Sequence, residues 1–212
     1  MAPQPGLEGI LSVAPVIPVV IIEDQAQAVP LARALVAGGL RVIEVTLRTA
    51  AGLDAIRVIA AEVPEAIVGV GTVLDPAQFF AAGEVGARFA VSPGATARLL
   101  DAVEGHAVPY LPGVGTPAEA MMLIERGYRF AKFFPAEPAG GARYLSALAS
   151  PLPQLRFCPT GGISSENAPR YLALPNVICV GGSWMVGRAD VAAGNWSAIT
   201  AAAAAAYALA PR

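Results

Sequence analysis

Short apolar, β-branched runs recur along the chain, each closed by glycine, proline or a polar residue. They read PVIPVVII (15–22), RVIEVTL (41–47), AIVGVGT (66–72), RFAVSPG (88–94), AVPYLPG (107–113), RFAKFFP (129–135), RFCPTGG (156–162) and NVICVGGS (176–183). Their spacing of roughly 20 to 26 residues suits one strand, one helix and two short loops per unit. Between them the apolar positions change to helical spacing. Residues 25–38 carry Val29, Ala32, Leu35 and Val36 on one face and stop at Gly38-Gly39, a helix C-terminal signal. Residues 50–63 carry Leu53, Ile56, Ile59 and Ala60 in the same way. Asp75-Pro76 predicts a helix start with Asp as N-cap, and Thr116-Pro117-Ala118-Glu119 predicts a capping-box start. Residues 189–208 predict one long Ala-rich closing helix. The segment ahead of the first strand, about residues 1–14, predicts an extra N-terminal helix beneath the sheet.

Eight strands alternating with helices suit either a closed β/α barrel or an open doubly wound sheet. The even spacing and the count of eight favour the barrel, and no GxGxxG fingerprint argues for a dinucleotide fold. The expected class is therefore α/β, a (β/α)8 TIM barrel with an extra N-terminal helix. With 212 residues, it is expected to form a single domain over 1–212.

Composition narrows the function classes. Hydrophobic residues make up 55% of the chain and charged residues 14%, an oily balance that predicts a buried subunit interface. A net charge of -2 offers no basic field for nucleic acid. The longest apolar run, VAPVIPVVII (13–22), is too short for a bilayer and is broken by Pro15 and Pro18. MAPQPGLEGI lacks the basic start of a secretory signal, so a cytoplasmic protein without membrane partner is expected. Cys158 and Cys179 are too few for a disulfide framework or a zinc site and read as buried free thiols; no metal is expected.

The candidate chemistry lies at strand ends, where such barrels carry their sites. Of 14 lysines and arginines, Lys132 is the only lysine, and it sits in RFAKFFP among phenylalanines. Strand parity puts Lys132 with Phe130 and Phe134. It also puts Glu44, Thr46 and Arg48 on one face of the second strand, opposite Ile43, Val45 and Leu47. A carboxylate turned into a barrel needs a partner, and Lys132 has the opposite sign. Lys132 then reads as a plain ion-pair partner of Glu44, as a lysine snorkelling to water, or as an amine nucleophile. Attack needs the neutral amine, which apolar surroundings favour, and an arginine cannot supply it. Gly161-Gly162 and Gly182-Ser183 close the seventh and eighth strands, where such barrels often hold phosphate. Arg48 suits a bidentate grip on a carboxylate, and Thr72 can offer a hydroxyl or cap a turn. His106, the single histidine, precedes the fifth strand and so falls at the non-catalytic end.

The segments EVTLRT (44–49), VGVGTVLDP (68–76), FAVSPG (89–94), LPGVGTPAEA (111–120), AKFFPAE (131–137), RFCPTGGIS (156–164) and VGGSW (180–184) resemble, in order and over nearly the whole chain, the KDPG/KHG aldolases. The resemblance implies a class I, metal-independent lyase without cofactor, built on a β/α barrel and assembled as a homotrimer. It implies a phosphorylated 2-keto-3-deoxy sugar acid as small-molecule substrate and pyruvate as product. By the same resemblance Lys132 forms the Schiff base and Glu44 is the general acid/base acting through a water. Arg48 and Thr72 bind the pyruvate carboxylate, Pro93, Phe134 and Thr160 line the site, and Gly161, Gly162, Gly182 and Ser183 cradle the phosphate. Some relatives end the first strand in arginine, whereas here it reads Val20-Ile21-Ile22-Glu23, so backbone amides are expected to carry the phosphate. The galactonate epimer, 4-hydroxy-2-oxoglutarate, an isomerase and a non-catalytic binding barrel are the competing readings.

Overall fold

The computed structural model describes residues 4–209. Its strands are β1 (Val16–Val20), β2 (Val42–Thr46), β3 (Ile67–Gly71), β4 (Ala90–Val91), β5 (Tyr110–Leu111), β6 (Gly113–Val114), β7 (Phe130–Phe133), β8 (Arg156–Pro159) and β9 (Val180–Gly182). Its helices are α1 (Leu7–Leu11), α2 (Ala28–Ala37), α3 (Gly52–Glu62), α4 (Pro76–Glu84), α5 (Ala97–Val103), α6 (Pro117–Glu125), α7 (Gly141–Ala147), α8 (Ala168–Leu172), α9 (Arg188–Ala193) and α10 (Trp196–Tyr207).

Every strand pair is parallel, as strands joined by helical crossovers must be. Six strands pair in the order β5-β4-β3-β2-β1-β9 and three in the order β6-β7-β8. The eight expected runs are all present, the fifth divided at Pro112. Proline has no N–H for the ladder, so the run changes neighbour there. Before it, Tyr110 and Leu111 pair with β4; after it, Gly113 and Val114 pair with β7, and the Pro112 carbonyl accepts from Lys132 N–H at 2.8 Å. At the other edge, single bridges Phe157–Val177 and Thr160–Gly181 join β8 to the β9 segment. The result is a curled, TIM-barrel-like parallel sheet.

Two apolar layers follow from strand parity. Ile43, Val45, Val68 and Val70 face the helices and pack with Leu31, Leu35, Ile56 and Ile59. Ile17, Val42, Phe89, Leu111, Phe130 and Cys158 face inward and share a second cluster with Leu7 and Leu11 of α1. Burying each of those two leucines contributes about 1.5–3 kcal/mol. Of the N-terminal segment expected as a helix, α1 is the helical part, and residues 1–3 lie outside the described residues.

The helix starts at Asp75 and Thr116 form as their sequences dictate. Asp75 accepts from Gln78 N–H, and Thr116 and Glu119 close a full capping box. The segment 25–38 opens as a 3-10 turn (Gln25–Gln27) capped by Asp24 before α2 begins. The single closing helix expected over 189–208 is corrected to two. Gly194 takes a left-handed φ of 65°, ends α9, and lets the chain turn before α10.

Candidate active site

Lys132 on β7 and Glu44 on β2 come from different halves of the curled sheet and meet inside it. Lys132 Nζ donates to Glu44 Oε1 at 3.0 Å, and the two side chains are 4% and 5% exposed. β2 delivers Glu44 inward because its neighbours Ile43 and Val45 are claimed by the helix layer. The close approach depends on Gly71 of β3. A Cβ there would sit 2.3 Å from Glu44 Oε1, so any larger residue would displace the carboxylate. A pair this buried is costly unless each charge is answered. The carboxylate answers the amine, and the Phe134 ring lies 5.4 Å from Nζ. Lys132 and Glu44 are therefore in direct contact, close enough for a proton to pass between them.

Arg48 follows β2 at the open end of the sheet. Its Nε donates to Thr72 Oγ1 at 3.2 Å, so the two expected carboxylate ligands are already joined. Thr72 has φ 61°, a left-handed conformation that is an outlier for a β-branched residue and costs about 1–3 kcal/mol. Strain of this kind persists where the surroundings demand a side chain in one place. No salt bridge joins Arg48 to Glu44 among the described residues.

Pro93 follows β4 and presses on Gly113, the register partner of Lys132: a Cβ on Gly113 would fall 2.3 Å from the Pro93 carbonyl carbon. Thr160 closes β8, is buried, and fits against Gly181, where a Cβ would lie 2.3 Å from its hydroxyl. The loops after β7 and β8 are laced together: Ala136 N–H donates to Thr160 O at 2.8 Å and Glu137 N–H to Gly161 O at 3.0 Å. Gly161 and Gly162 have φ of 101° and 78°, which only glycine adopts without strain. Gly182 has a packing reason of its own, since the Trp184 ring occupies the space a Cβ would need.

Sequence reasoning missed the braces behind these loops. Asn167 holds the turn, its Nδ2 donating to Gly162 O at 2.9 Å and its Oδ1 accepting from Ser164 N–H at 2.8 Å. The Tyr171 hydroxyl bonds the Glu137 carboxylate; burial, and then that carboxylate, push the phenol well above its usual range. No periodicity marks either residue, because α8 is only five residues long. His106 packs edge-on against Phe79 and Phe80, and its Nδ1 accepts from Val108 N–H, away from the lysine.

A cavity of about 570 Å³ opens at the mouth beside β1, β2 and β9, within the range of small-molecule sites. Val19 at its inner end is the register partner of Glu44, and Arg48 and Ser183 line it. Thr160, Gly161 and Gly162 stand outside that lining, on the β8 side. Among the described residues no group of three His, Cys, Asp or Glu side chains is placed to hold a metal ion, and no helix is long and apolar enough to cross a membrane.

A family model described as KDPG and KHG aldolase matches residues 7–202. The KHG/KDPG aldolase of Escherichia coli (strain K12) is 53% identical over 193 residues, 91% of each chain. KDPG aldolase from Legionella pneumophila, solved with pyruvate captured at low pH as a covalent carbinolamine intermediate, is 46% identical with a TM-score of 0.92, covering 94% of this chain and 97% of that one. The 2-keto-3-deoxy-6-phosphogluconate aldolase of Zymomonas mobilis ZM4, solved with 3-phosphoglycerate, is 48% identical with a TM-score of 0.89, covering 96% and 95%. With the match running over most of its length and about half its aligned residues shared with the Escherichia coli enzyme, the chain belongs to the KDPG and KHG aldolase family of carbon–carbon lyases.

Proposed function

We propose that Lys132 is the Schiff-base residue of a class I aldolase that cleaves 2-dehydro-3-deoxy-6-phosphogluconate to pyruvate and glyceraldehyde 3-phosphate. The observation that carries this reading is the amine of the chain's only lysine, buried and bonded to a carboxylate at 3.0 Å. Glu44 takes a proton from the ammonium, and the neutral amine adds to the C2 carbonyl to give a carbinolamine. Glu44 returns the proton to the departing hydroxyl, and water leaves to form an iminium. Removal of the C4 hydroxyl proton, relayed by Glu44, sends the C3–C4 electrons into the iminium and frees the aldehyde. The enamine is then protonated at C3, and hydrolysis returns pyruvate and the amine. The iminium is itself the electron sink, so this route calls on no cofactor.

Arg48 and Thr72 grip the substrate carboxylate and aim C2 at the amine. Pro93, Phe134 and Thr160 wall the reacting carbons. The backbones at Gly161, Gly162, Gly182 and Ser183 receive the phosphate. The name of the Escherichia coli relative supports 4-hydroxy-2-oxoglutarate as a second substrate of the same centre. On this reading residues 1–212 form a single domain, a (β/α)8 barrel with an extra N-terminal helix, working in the cytoplasm as a homotrimer. Support for the helix comes from Leu7 and Leu11, which lie among the inward-facing strand residues. Exposed Leu74, Phe80, Met121 and Tyr207 offer apolar surface for a subunit contact.

The test is reduction with borohydride in the presence of pyruvate, followed by mass analysis of peptides. A reduced pyruvyl adduct is expected on the peptide holding Lys132. Folded protein that yields no adduct there would defeat the proposal.

A further inference from the structure

We propose that Arg188 is a binding residue for the phosphate of the substrate. This inference rests on the reading of Lys132 and Arg48 given above. It answers a question left by the sequence, in which the first strand ends without a cation and the phosphate has no side-chain partner.

The cavity at the mouth has two arginines on its walls, Arg48 and Arg188. Arg48 lies just past β2, the strand that carries Glu44. Arg188 begins α9, five residues beyond Ser183, which lines the same cavity and belongs to the proposed phosphate cradle. The Gln27 Nε2 contact to Val191 O, at 3.5 Å, ties α9 to the segment after β1. One cavity thus holds two guanidiniums, Arg48 just past the strand that carries Glu44 and Arg188 on the segment after Ser183, which suits a molecule with two anionic groups. Phosphorylated 2-keto-3-deoxy acids have that form. The five-carbon 4-hydroxy-2-oxoglutarate is too short to place its second carboxylate as far out as a C6 phosphate.

Three carboxylates lie near Arg188, and none forms a salt bridge with it among the described residues. Asp24 accepts from Ala26 N–H at 2.9 Å. Asp190 accepts from Asn195 Nδ2 at 2.9 Å. Glu23 is exposed and lines the same cavity, where water screens it. Arg188 is exposed and has no packing role to lose, so its substitution leaves the fold intact.

The experiment compares the parent with Arg188→Ala and Arg188→Lys in two assays. One is kcat/KM for cleavage of 2-dehydro-3-deoxy-6-phosphogluconate; the other is the pyruvate concentration that half-saturates borohydride trapping at Lys132. Arg188→Ala is expected to lose roughly 10- to 100-fold in kcat/KM, chiefly through KM, while pyruvate half-saturation stays within about twofold. Arg188→Lys is expected to recover most of the loss, since it restores the charge. Phosphogluconate cleavage within about twofold of the parent in Arg188→Ala overturns the proposal, as does an equal loss in both assays. A parent protein that forms no adduct overturns the Schiff-base reading itself, and this inference with it, so the two failures are distinguishable.

Discussion

Gln4 and Lys132 both bury a nitrogen against the curled sheet, yet their surroundings are opposite in kind. At the starts of the strands, the Gln4 amide uses its full hydrogen-bonding capacity. Nε2 donates to Tyr110 O and Phe130 O, and Oε1 accepts from Arg129 N–H and Phe130 N–H, all at 2.9 Å. Farther along β7, the Lys132 amine has three donors and makes one hydrogen bond, to Glu44. A fully satisfied polar cluster rigidifies a fold. One with capacity to spare keeps a group available for a substrate. The first cluster joins β5 to β7 where Pro112 divides the fifth run; the second joins β7 to β2 across the interior.

Substitutions at the two clusters should therefore separate activity from stability. The largest effect is expected for Lys132→Arg, which keeps the charge and removes the amine nucleophile. Aldolase activity should fall by at least about 10⁴-fold, with no borohydride-trapped adduct. Steady-state kinetics and peptide mass analysis check both, and retained turnover would contradict the Schiff base. Next comes Glu44→Gln, which keeps an acceptor beside the amine and loses the proton carrier. A loss of roughly 10²–10³-fold in kcat is expected, with pyruvate KM changed little because Arg48 is untouched. The smallest change in turnover belongs to Gln4→Ala. It leaves buried backbone groups without partners and should cost about 2–4 kcal/mol in chemical denaturation. At temperatures where that variant stays folded, pyruvate trapping should match the parent. A Gln4 variant that lost trapping while folded would show that the two clusters are not separable.

Much of the site was legible in the chain because short-range rules carried it. The parity of EVTLR put Glu44 inside, and it is buried there beside Lys132, which parity groups with Phe130 and Phe134. The caps at Asp75 and Thr116 were legible for the same reason, since each involves residues three apart. The short helices α5, α7 and α8 left too few turns for a period to show, and the break at Gly194 was hidden by the alanines after it. Gln4 gave no signal at all, because its four partners lie more than 100 residues away. The reach of Tyr171 to Glu137, 34 residues apart, and the company of Arg188 with Arg48 were invisible because these too are contacts beyond any local pattern.

The sequence by itself determined the alternation of strand and helix, the inward faces, the single amine and the family. Those properties depend on neighbours within a few residues, where pleat and helical period govern. Tertiary structure alone decided that Glu44 touches Lys132 across 88 residues of chain and that Gly71 makes room for it. It alone held Thr72 in a left-handed conformation beside Arg48. Such contacts form only when curling of the sheet brings distant strands together, and the chain's local pattern carries no record of the distance between them.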